Sequence, residues 1–98
     1  MNVRAVRVVV TGAVQGVGFR WFVRERARVL NLEGWVRNRA GGAVELAVRG
    51  PESAVGTLLD AVGQGPPASR VTRVVVDAAS EDEHFPTPFT VHRTAESE

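Results

Sequence analysis

The spacing of apolar residues changes abruptly at a glycine-rich segment near the start of the chain. Valines alternate with other residues from Val6 to Val10, which predicts a strand over residues 3–11. From Phe19 onward, apolar residues recur at the three- and four-residue spacing of an amphipathic helix. The segment Gly12–Gly18 is therefore a loop that joins a strand to the start of a helix, and any fold of this chain must contain that unit.

Turn signals divide the rest of the chain into further elements. Alternation and short apolar runs predict four more strands, at residues 35–37, 44–49, 71–78 and 89–93. The spacing of Val55, Leu58 and Val62 predicts a second helix that opens at Gly50-Pro51. The order, β-α-β-β-α-β with one added strand, indicates an α+β fold of the ferredoxin-like split β-α-β type, with two helices on one face of an antiparallel sheet.

This topology brings two segments of the chain to one edge of the sheet. The first and second strands run parallel with the third between them, so their carboxyl ends lie at the same edge. The glycine-rich loop leaves the first strand there, and Asn38 leaves the second. Strands two places apart are separated by roughly 10 Å, a gap that an inward-leaning loop, a bound phosphate and a water molecule can close.

Composition limits the possible classes of function. The chain of 98 residues has a net charge of +1, which is not the basic excess of a nucleic-acid-binding protein. It has no cysteine, so disulfides, thiolate nucleophiles and zinc–thiolate sites are excluded. All twelve Lys/Arg positions are arginine, which excludes a Schiff-base or Walker-type lysine.

The length predicts one domain. We expect it to span residues 1–93, followed by a flexible acidic tail at 94–98 and by no further domain. No apolar run approaches the roughly 20 residues of a membrane span, and the N-terminal apolar stretch carries Arg4 and Arg7 without a cleavage signature. We therefore expect a cytoplasmic location. A monomer is the simplest expectation for the oligomeric state.

The glycine-rich loop is suited to hold one small anion. Gly16 and Gly18 permit backbone angles that turn successive N–H groups inward, and the positive end of the following helix adds to the attraction. Arg20, at the start of that helix, can offer two parallel N–H donors to phosphate oxygens. The alternative, on this segment alone, is a plain turn between strand and helix with a surface arginine.

Asn38 is the second candidate for a functional role. Its carboxamide both donates and accepts hydrogen bonds, so it can hold a water molecule in line with a phosphorus atom. Considered alone, an asparagine beside a hairpin more often bonds to its own turn.

Other polar and aromatic residues offer less chemistry. We interpret Trp21 and Trp35 as packing residues, although Trp21 could also shape the mouth of a site. His84 and His92 lie in different local settings and do not form a metal pair, and the acidic run 81–83 is interpreted as a solvated loop. The predicted site therefore has an anion-binding loop, a cation and a neutral amide, without an evident nucleophile or general base.

Such a site suits the hydrolysis of an acyl phosphate. Transfer of a phosphoryl group to water has a loose transition state, for which positioning and charge stabilisation supply most of the catalysis. The carboxylate of an acyl phosphate leaves without being protonated, and the attacking water can pass its proton to a phosphate oxygen. A phosphomonoester would be a far harder substrate for this set of residues.

Two sequence blocks carry a resemblance to a known family. The segments GAVQGVGFR at residues 12–20 and GWVRN at residues 34–38 resemble the acylphosphatases, and the similarity extends over nearly the whole chain. The resemblance implies hydrolysis of a small acyl phosphate without a metal or other cofactor. It also implies that Arg20 is the phosphate-binding arginine and that Asn38 is the water-orienting asparagine. The phosphate-binding amides that it implies are those of Gln15, Gly16, Val17, Gly18 and Phe19.

Three alternatives remain open at this point. A related domain could handle carbamoyl phosphate within a larger maturation enzyme, although the short chain argues against that reading. An RNA-binding module of the same architecture would stack bases on aromatic residues of its inner strands, and Val6–Val10 and Val44–Val48 contain none. A ligand-sensing domain would bind phosphate without hydrolysing it.

Overall fold

The computed structural model of the protein describes residues 2–95. Within this range the elements follow one another in the predicted order. Their bounds are β1 Val3–Ala13, α1 Phe19–Val29, β2 Glu33–Asn38, β3 Val44–Pro51, α2 Glu52–Gln64, β4 Arg70–Ala78 and β5 Thr90–Val91. The last strand is shorter than the predicted 89–93, and Phe89, which precedes it, is wholly buried in the core.

The sheet has the strand order β4-β1-β3-β2-β5. β1 and β2 each pair antiparallel with β3, so they run parallel to each other on its two sides, as predicted. β5 pairs parallel with β2, with Trp35 opposite Thr90 and Val36 opposite Val91. The prediction of an antiparallel sheet is wrong for this strand: the sheet is mixed, because the chain crosses from β4 at one edge to β5 at the other.

The hydrophobic core lies between both helices and one face of the sheet. Alternate residues of β1 and β3 are buried beneath the helices, namely Val6, Val8, Val10, Val44, Leu46 and Val48. The helices contribute Phe19, Val23 and Ala27 of α1 and Val55, Leu58 and Val62 of α2. Burial of each large apolar side chain contributes about 1.5–3 kcal/mol, so this layer fixes the two helices against the sheet.

The loop 79–89 reaches the opposite face of the sheet. Glu83 pairs with Arg7 at 2.9 Å and accepts a hydrogen bond from Nε1 of Trp35 at 3.1 Å. The packing role predicted for Trp35 is confirmed, because only 4% of this residue is exposed. The prediction of a solvated loop is wrong for Glu83, because these distant partners hold its side chain in a largely buried position.

The carboxyl ends of β1 and β2 lie at one edge of the sheet. Val10 of β1 and Asn38 of β2 both pair with Val44 of β3, so they lie level with each other on its two sides. β1 continues to Ala13, with a shift in its pairing with β4 after Thr11. The glycine-rich loop therefore starts beside the end of β2.

The C-terminal segment follows β2 to the same edge. The N–H of Ala95 donates to the carbonyl of Asn38 at 2.9 Å, and Ala95 forms a parallel bridge with Arg39. The first part of the tail predicted at 94–98 thus lies beside β2, whereas residues 96–98 lie outside the described residues.

Candidate active site

The loop between β1 and α1 turns its backbone through two left-handed glycines. Gly16 has φ of 74° and Gly18 has φ of 78°, with Val17 between them. A Cβ atom at either glycine would meet nothing within 4 Å, so the backbone angle and not the available space requires glycine there. An alternation of left-handed and ordinary residues directs successive N–H groups toward one side, a geometry that can hold an anion.

The helix that follows this loop begins without an acceptor of its own. Gly18 is the N-cap of α1, no side chain caps the helix, and no acidic residue lies in its first turn. The free N–H groups of the first turn therefore present partial positive charge. In contrast, Glu52 provides a negative charge in the first turn of α2. The first turn of α1 thus has no negative charge of its own beside these N–H groups, whereas the first turn of α2 has Glu52.

Arg20 lies in the first turn of α1, where a cation is disfavoured by the helix dipole. Among residues 2–95, no carboxylate pairs with Arg20 and no hydrogen bond holds its guanidinium. This arrangement leaves its N–H groups free for two parallel bonds to an anion.

The loop, Arg20 and Asn38 meet at a single cavity of about 270 Å³. Its lining residues are Val14, Gly16, Gly18, Phe19, Arg20, Trp21, Asn38 and Val91. This volume suits a small ligand better than a drug-sized one. Of the predicted site residues, Gln15 and Val17 lie outside the lining, and Val17 packs against the hydrophobic core.

The side chain of Gln15 ties the loop to the hairpin between β2 and β3. Its Nε2 donates to the carbonyls of Arg39 and Ala43, each at 2.8 Å. The same hairpin is closed by a bond from the N–H of Arg39 to the carbonyl of Ala43. Because Asn38 immediately precedes this hairpin, these two bonds link the loop to the segment that carries Asn38. The family resemblance implied a role for the backbone amide of Gln15, and nothing in the sequence pointed to this role of its side chain.

Asn38 presents a buried acceptor at the cavity. It points to the helix side of β2, as Val36 does two residues earlier. Its Oδ1 is buried and has no hydrogen-bond partner among the described residues. A buried polar atom without a partner costs about 1–3 kcal/mol, so this oxygen is available to a ligand or a water molecule at the cost of some stability.

The mouth of the cavity is apolar. Trp21 is 60% exposed and Val91 is 37% exposed, and both line the cavity. The prediction of Trp21 as a packing residue is wrong, because α1 directs it away from the core; the alternative, that it shapes the mouth of a site, agrees with its position. Val91 had no signal in the sequence, because only the parallel pairing of β5 with β2 brings it to the site.

Neither a metal centre nor a membrane helix is found in the described part of the chain. Residues 2–95 contain no group of three or more His, Cys, Asp or Glu side chains that could hold a metal ion. No helix in the same range has the length and apolar character needed to cross a membrane.

Comparison with known proteins identifies the family. The family model described as acylphosphatase matches residues 6–91. The chain belongs to the acylphosphatase family. It is 49% identical, over 76 residues, to the acylphosphatase of Salinibacter ruber, in an alignment that covers 78% of this chain and 80% of that protein. The resemblance carried by the two sequence blocks is thereby confirmed.

Solved structures agree with this assignment. The crystal structure of the acylphosphatase from Bacillus subtilis matches with a TM-score of 0.79 and 40% identity, over 93% of this chain and 99% of that one. Full-length HypF in its phosphate- and nucleotide-bound form matches with a TM-score of 0.83 and 27% identity, over 97% of this chain and 12% of that one. The predicted fold is confirmed, and so is the predicted activity, the hydrolysis of small acyl phosphates.

Proposed function

We propose that Arg20 and the loop amides hold the phosphate of the substrate while Asn38 positions the water that attacks it. The observation that carries this proposal is the meeting, at one cavity, of a cation and a buried amide oxygen that lack partners among the described residues. Both groups are arranged at some cost to the folded state, which is expected of groups that serve a ligand.

Binding of the phosphate uses the backbone and one side chain. The phosphate accepts hydrogen bonds from loop amides, of which those of Gly16, Gly18 and Phe19 belong to residues that line the cavity. The amides of Gln15 and Val17, which lie outside the lining, are included on the family resemblance alone. The left-handed angles of Gly16 and Gly18 support this role, because they direct N–H groups to one side. Arg20 adds two N–H donors and neutralises charge that spreads over the phosphate oxygens in the transition state.

The chemical step transfers the phosphoryl group to water. Oδ1 of Asn38 accepts a hydrogen bond from the water and holds its oxygen in line with the carboxyl–phosphate bond. The water oxygen bonds to phosphorus as the bond to the carboxyl oxygen breaks, and the carboxylate leaves with the bonding electrons. One proton of the water passes to a phosphate oxygen and the other stays on the attacking oxygen, so the products are a carboxylate and inorganic phosphate. No step requires a metal ion or another cofactor.

The test is hydrolysis of benzoyl phosphate in EDTA by the wild type and by Asn38→Ala, with Asn2→Ala as the matched control at an exposed asparagine. We expect fast turnover by the wild type and by Asn2→Ala, and a large loss in Asn38→Ala. Loss of wild-type activity in EDTA, with recovery on addition of a divalent metal, would overturn the metal-independent mechanism. Full activity of Asn38→Ala would overturn the role of that residue.

The proposal also covers the location, the oligomeric state and the partners of the enzyme. We expect a cytoplasmic monomer that binds neither nucleic acid nor membrane, in line with its net charge of +1. Size-exclusion chromatography and cell fractionation test these expectations. Carbamoyl phosphate belongs in the substrate panel, because its phosphate end is the same as that of other acyl phosphates.

A further inference from the structure

We propose that Trp21 forms the acyl-binding wall of the cavity and makes the enzyme prefer acyl phosphates whose acyl group is aromatic or otherwise flat and apolar. The inference rests on the proposed function, because it takes the loop and Arg20 as the site of the phosphate. It adds a specificity-determining residue and a class of substrate to that site.

The polarity of the lining separates the two ends of the cavity. The polar end consists of the left-handed loop, Arg20 and Asn38, which are the groups that suit a phosphate and a water molecule. The remaining lining is apolar, and its exposed members are Trp21 and Val91. A phosphate bound at the polar end therefore leaves its acyl group beside these two side chains.

Trp21 lies outside the core, and a neighbouring side chain contacts its ring. The guanidinium of Arg24 lies over its ring, 4.4 Å from the ring centroid, and Arg24 is itself paired with Glu25 at 2.7 Å. The cation lies over the indole and is attracted to it, which favours this position of the ring. Trp21 still lines the cavity and is 60% exposed, so its indole offers a flat apolar surface to a ligand. A side chain this exposed contributes little to core packing.

The acyl group decides how much this surface contributes. A benzoyl ring can stack on the indole, and an aromatic contact of this kind is worth about tenfold in affinity. An acetyl group has one methyl and gains little from the same wall. Because the contact lies away from the reacting bond, it acts on the ground state and the transition state alike and changes KM more than kcat.

The experiment compares benzoyl phosphate with acetyl phosphate for the wild type, Trp21→Ala and Trp21→Phe. We expect Trp21→Ala to lose about tenfold in kcat/KM for benzoyl phosphate, mainly through KM, and to change by less than about twofold for acetyl phosphate. Trp21→Phe keeps a flat ring and should retain most of the preference. Inorganic phosphate should inhibit all three proteins with the same inhibition constant, because the phosphate end of the site is unchanged.

The control is Val29→Ala, which shortens another exposed apolar side chain of α1 that is not part of this cavity. It should leave both substrates unaffected. Equal losses for the two substrates in Trp21→Ala, or no loss for benzoyl phosphate, would overturn the inference while the proposed mechanism stands. A wild type that hydrolyses neither substrate would overturn the proposed function, and with it the inference.

Discussion

Arginines on the two sides of the sheet differ in whether they have carboxylate partners. At the head of α1, on the helix side, Arg20 lines the cavity without a partner among the described residues. On the other side, Arg7 and Arg37 flank Glu45, which is only 7% exposed. The first region leaves a charge for a ligand, and the second satisfies its charges within the fold.

The second region is a connected network of Arg7, Trp35, Arg37, Glu45 and Glu83. Glu45 accepts from Arg37 at 2.7 and 2.8 Å and pairs with Arg7 at 3.1 Å, and Arg7 also pairs with Glu83. The indole of Trp35 lies under both guanidinium groups, at 5.0 Å from that of Arg7 and 4.7 Å from that of Arg37. These contacts join β1, β2, β3 and the loop 79–89.

Under the proposed function, one residue type serves both ligand binding and stability in the same small domain. An arginine with carboxylate partners stabilises the fold and has little capacity left for a ligand. An arginine at a helix N-terminus without such partners opposes the helix dipole and attracts an anion. Substitutions in the first region should therefore reduce activity without reducing stability, and substitutions in the second should do the reverse.

The largest expected effect belongs to Arg20. Arg20→Ala should lower kcat/KM for benzoyl phosphate by about 10³-fold or more, because the phosphate loses its cation in the transition state. Arg20→Lys should recover little of this, since an ammonium group cannot make the two parallel bonds of a guanidinium. Arg26→Lys, at an exposed arginine of the same helix, is the control and should stay near wild type. Near-normal activity of Arg20→Lys would contradict the two-pronged contact.

Stability measurements on the same Arg20 variants separate an effect on ligand binding from an effect on folding. Without phosphate, the free energy of unfolding of Arg20→Ala should equal that of the wild type or exceed it by up to about 1 kcal/mol, because a cation is removed from a helix N-terminus. Added phosphate should stabilise the wild type by mass action and stabilise the variant much less, because only the loop amides remain to bind it. Loss of stability in the phosphate-free variant would show that Arg20 also has a structural partner.

The next effect in size is that of Asn38→Ala on the chemical step. We expect kcat to fall by about 10²-fold with a smaller change in KM, because the contact to water matters most in the transition state. Full steady-state kinetics with benzoyl phosphate separate the two parameters. A rise in KM with kcat unchanged would show that Asn38 binds substrate and does not position water.

Glu45→Gln tests the second region. It leaves Arg7 and Arg37 without their shared carboxylate, and we expect the free energy of unfolding to fall by about 2 kcal/mol, less than for a fully buried pair because both arginines are partly exposed. Urea denaturation measures the change, and Glu33→Gln, which removes a more exposed partner of Arg49, should cost less than about 1 kcal/mol. Activity well below the unfolding temperature should stay within severalfold of the wild type. A loss of activity comparable to that of Asn38→Ala would show that the network around Glu45 also supports catalysis, which contradicts the separation of the two regions.

Local patterns were enough to predict the loop and its two candidate residues. The change in periodicity places the loop ahead of α1, and the split β-α-β order brings Asn38 to the same edge. The role of the Gln15 side chain was not predictable in this way, because its bond to Ala43 spans 28 positions and depends on how far the loop leans toward the hairpin. Glu83 bonds to Trp35 across 48 positions, so its sequence neighbours gave no sign of that partner.

The smallest expected effect concerns pH and His92, which stacks on Trp35 at the margin of the second region with ring centroids 5.3 Å apart. Burial lowers the pKa of His92, and the charges of Arg37 and His84 lower it further, while Glu83 opposes them. The unfolded chain then binds the proton more readily than the folded one. Above the pKa of His92 in the unfolded chain, about 6.5, the free energy of unfolding is therefore unaffected by this group. It declines as the pH falls below that value.

The variant His92→Phe keeps a flat ring against Trp35 and removes the titrating group. Urea denaturation of both proteins from pH 8 down to pH 5 should show a shallower loss of stability in the variant over the acidic part of this range. Equal slopes would mean that His92 has the same pKa in the folded and unfolded chain. Because His92 does not line the cavity, kcat/KM should not follow the loss of stability as the pH falls. That result would again separate the region that we expect to serve stability from the region that we expect to serve the substrate.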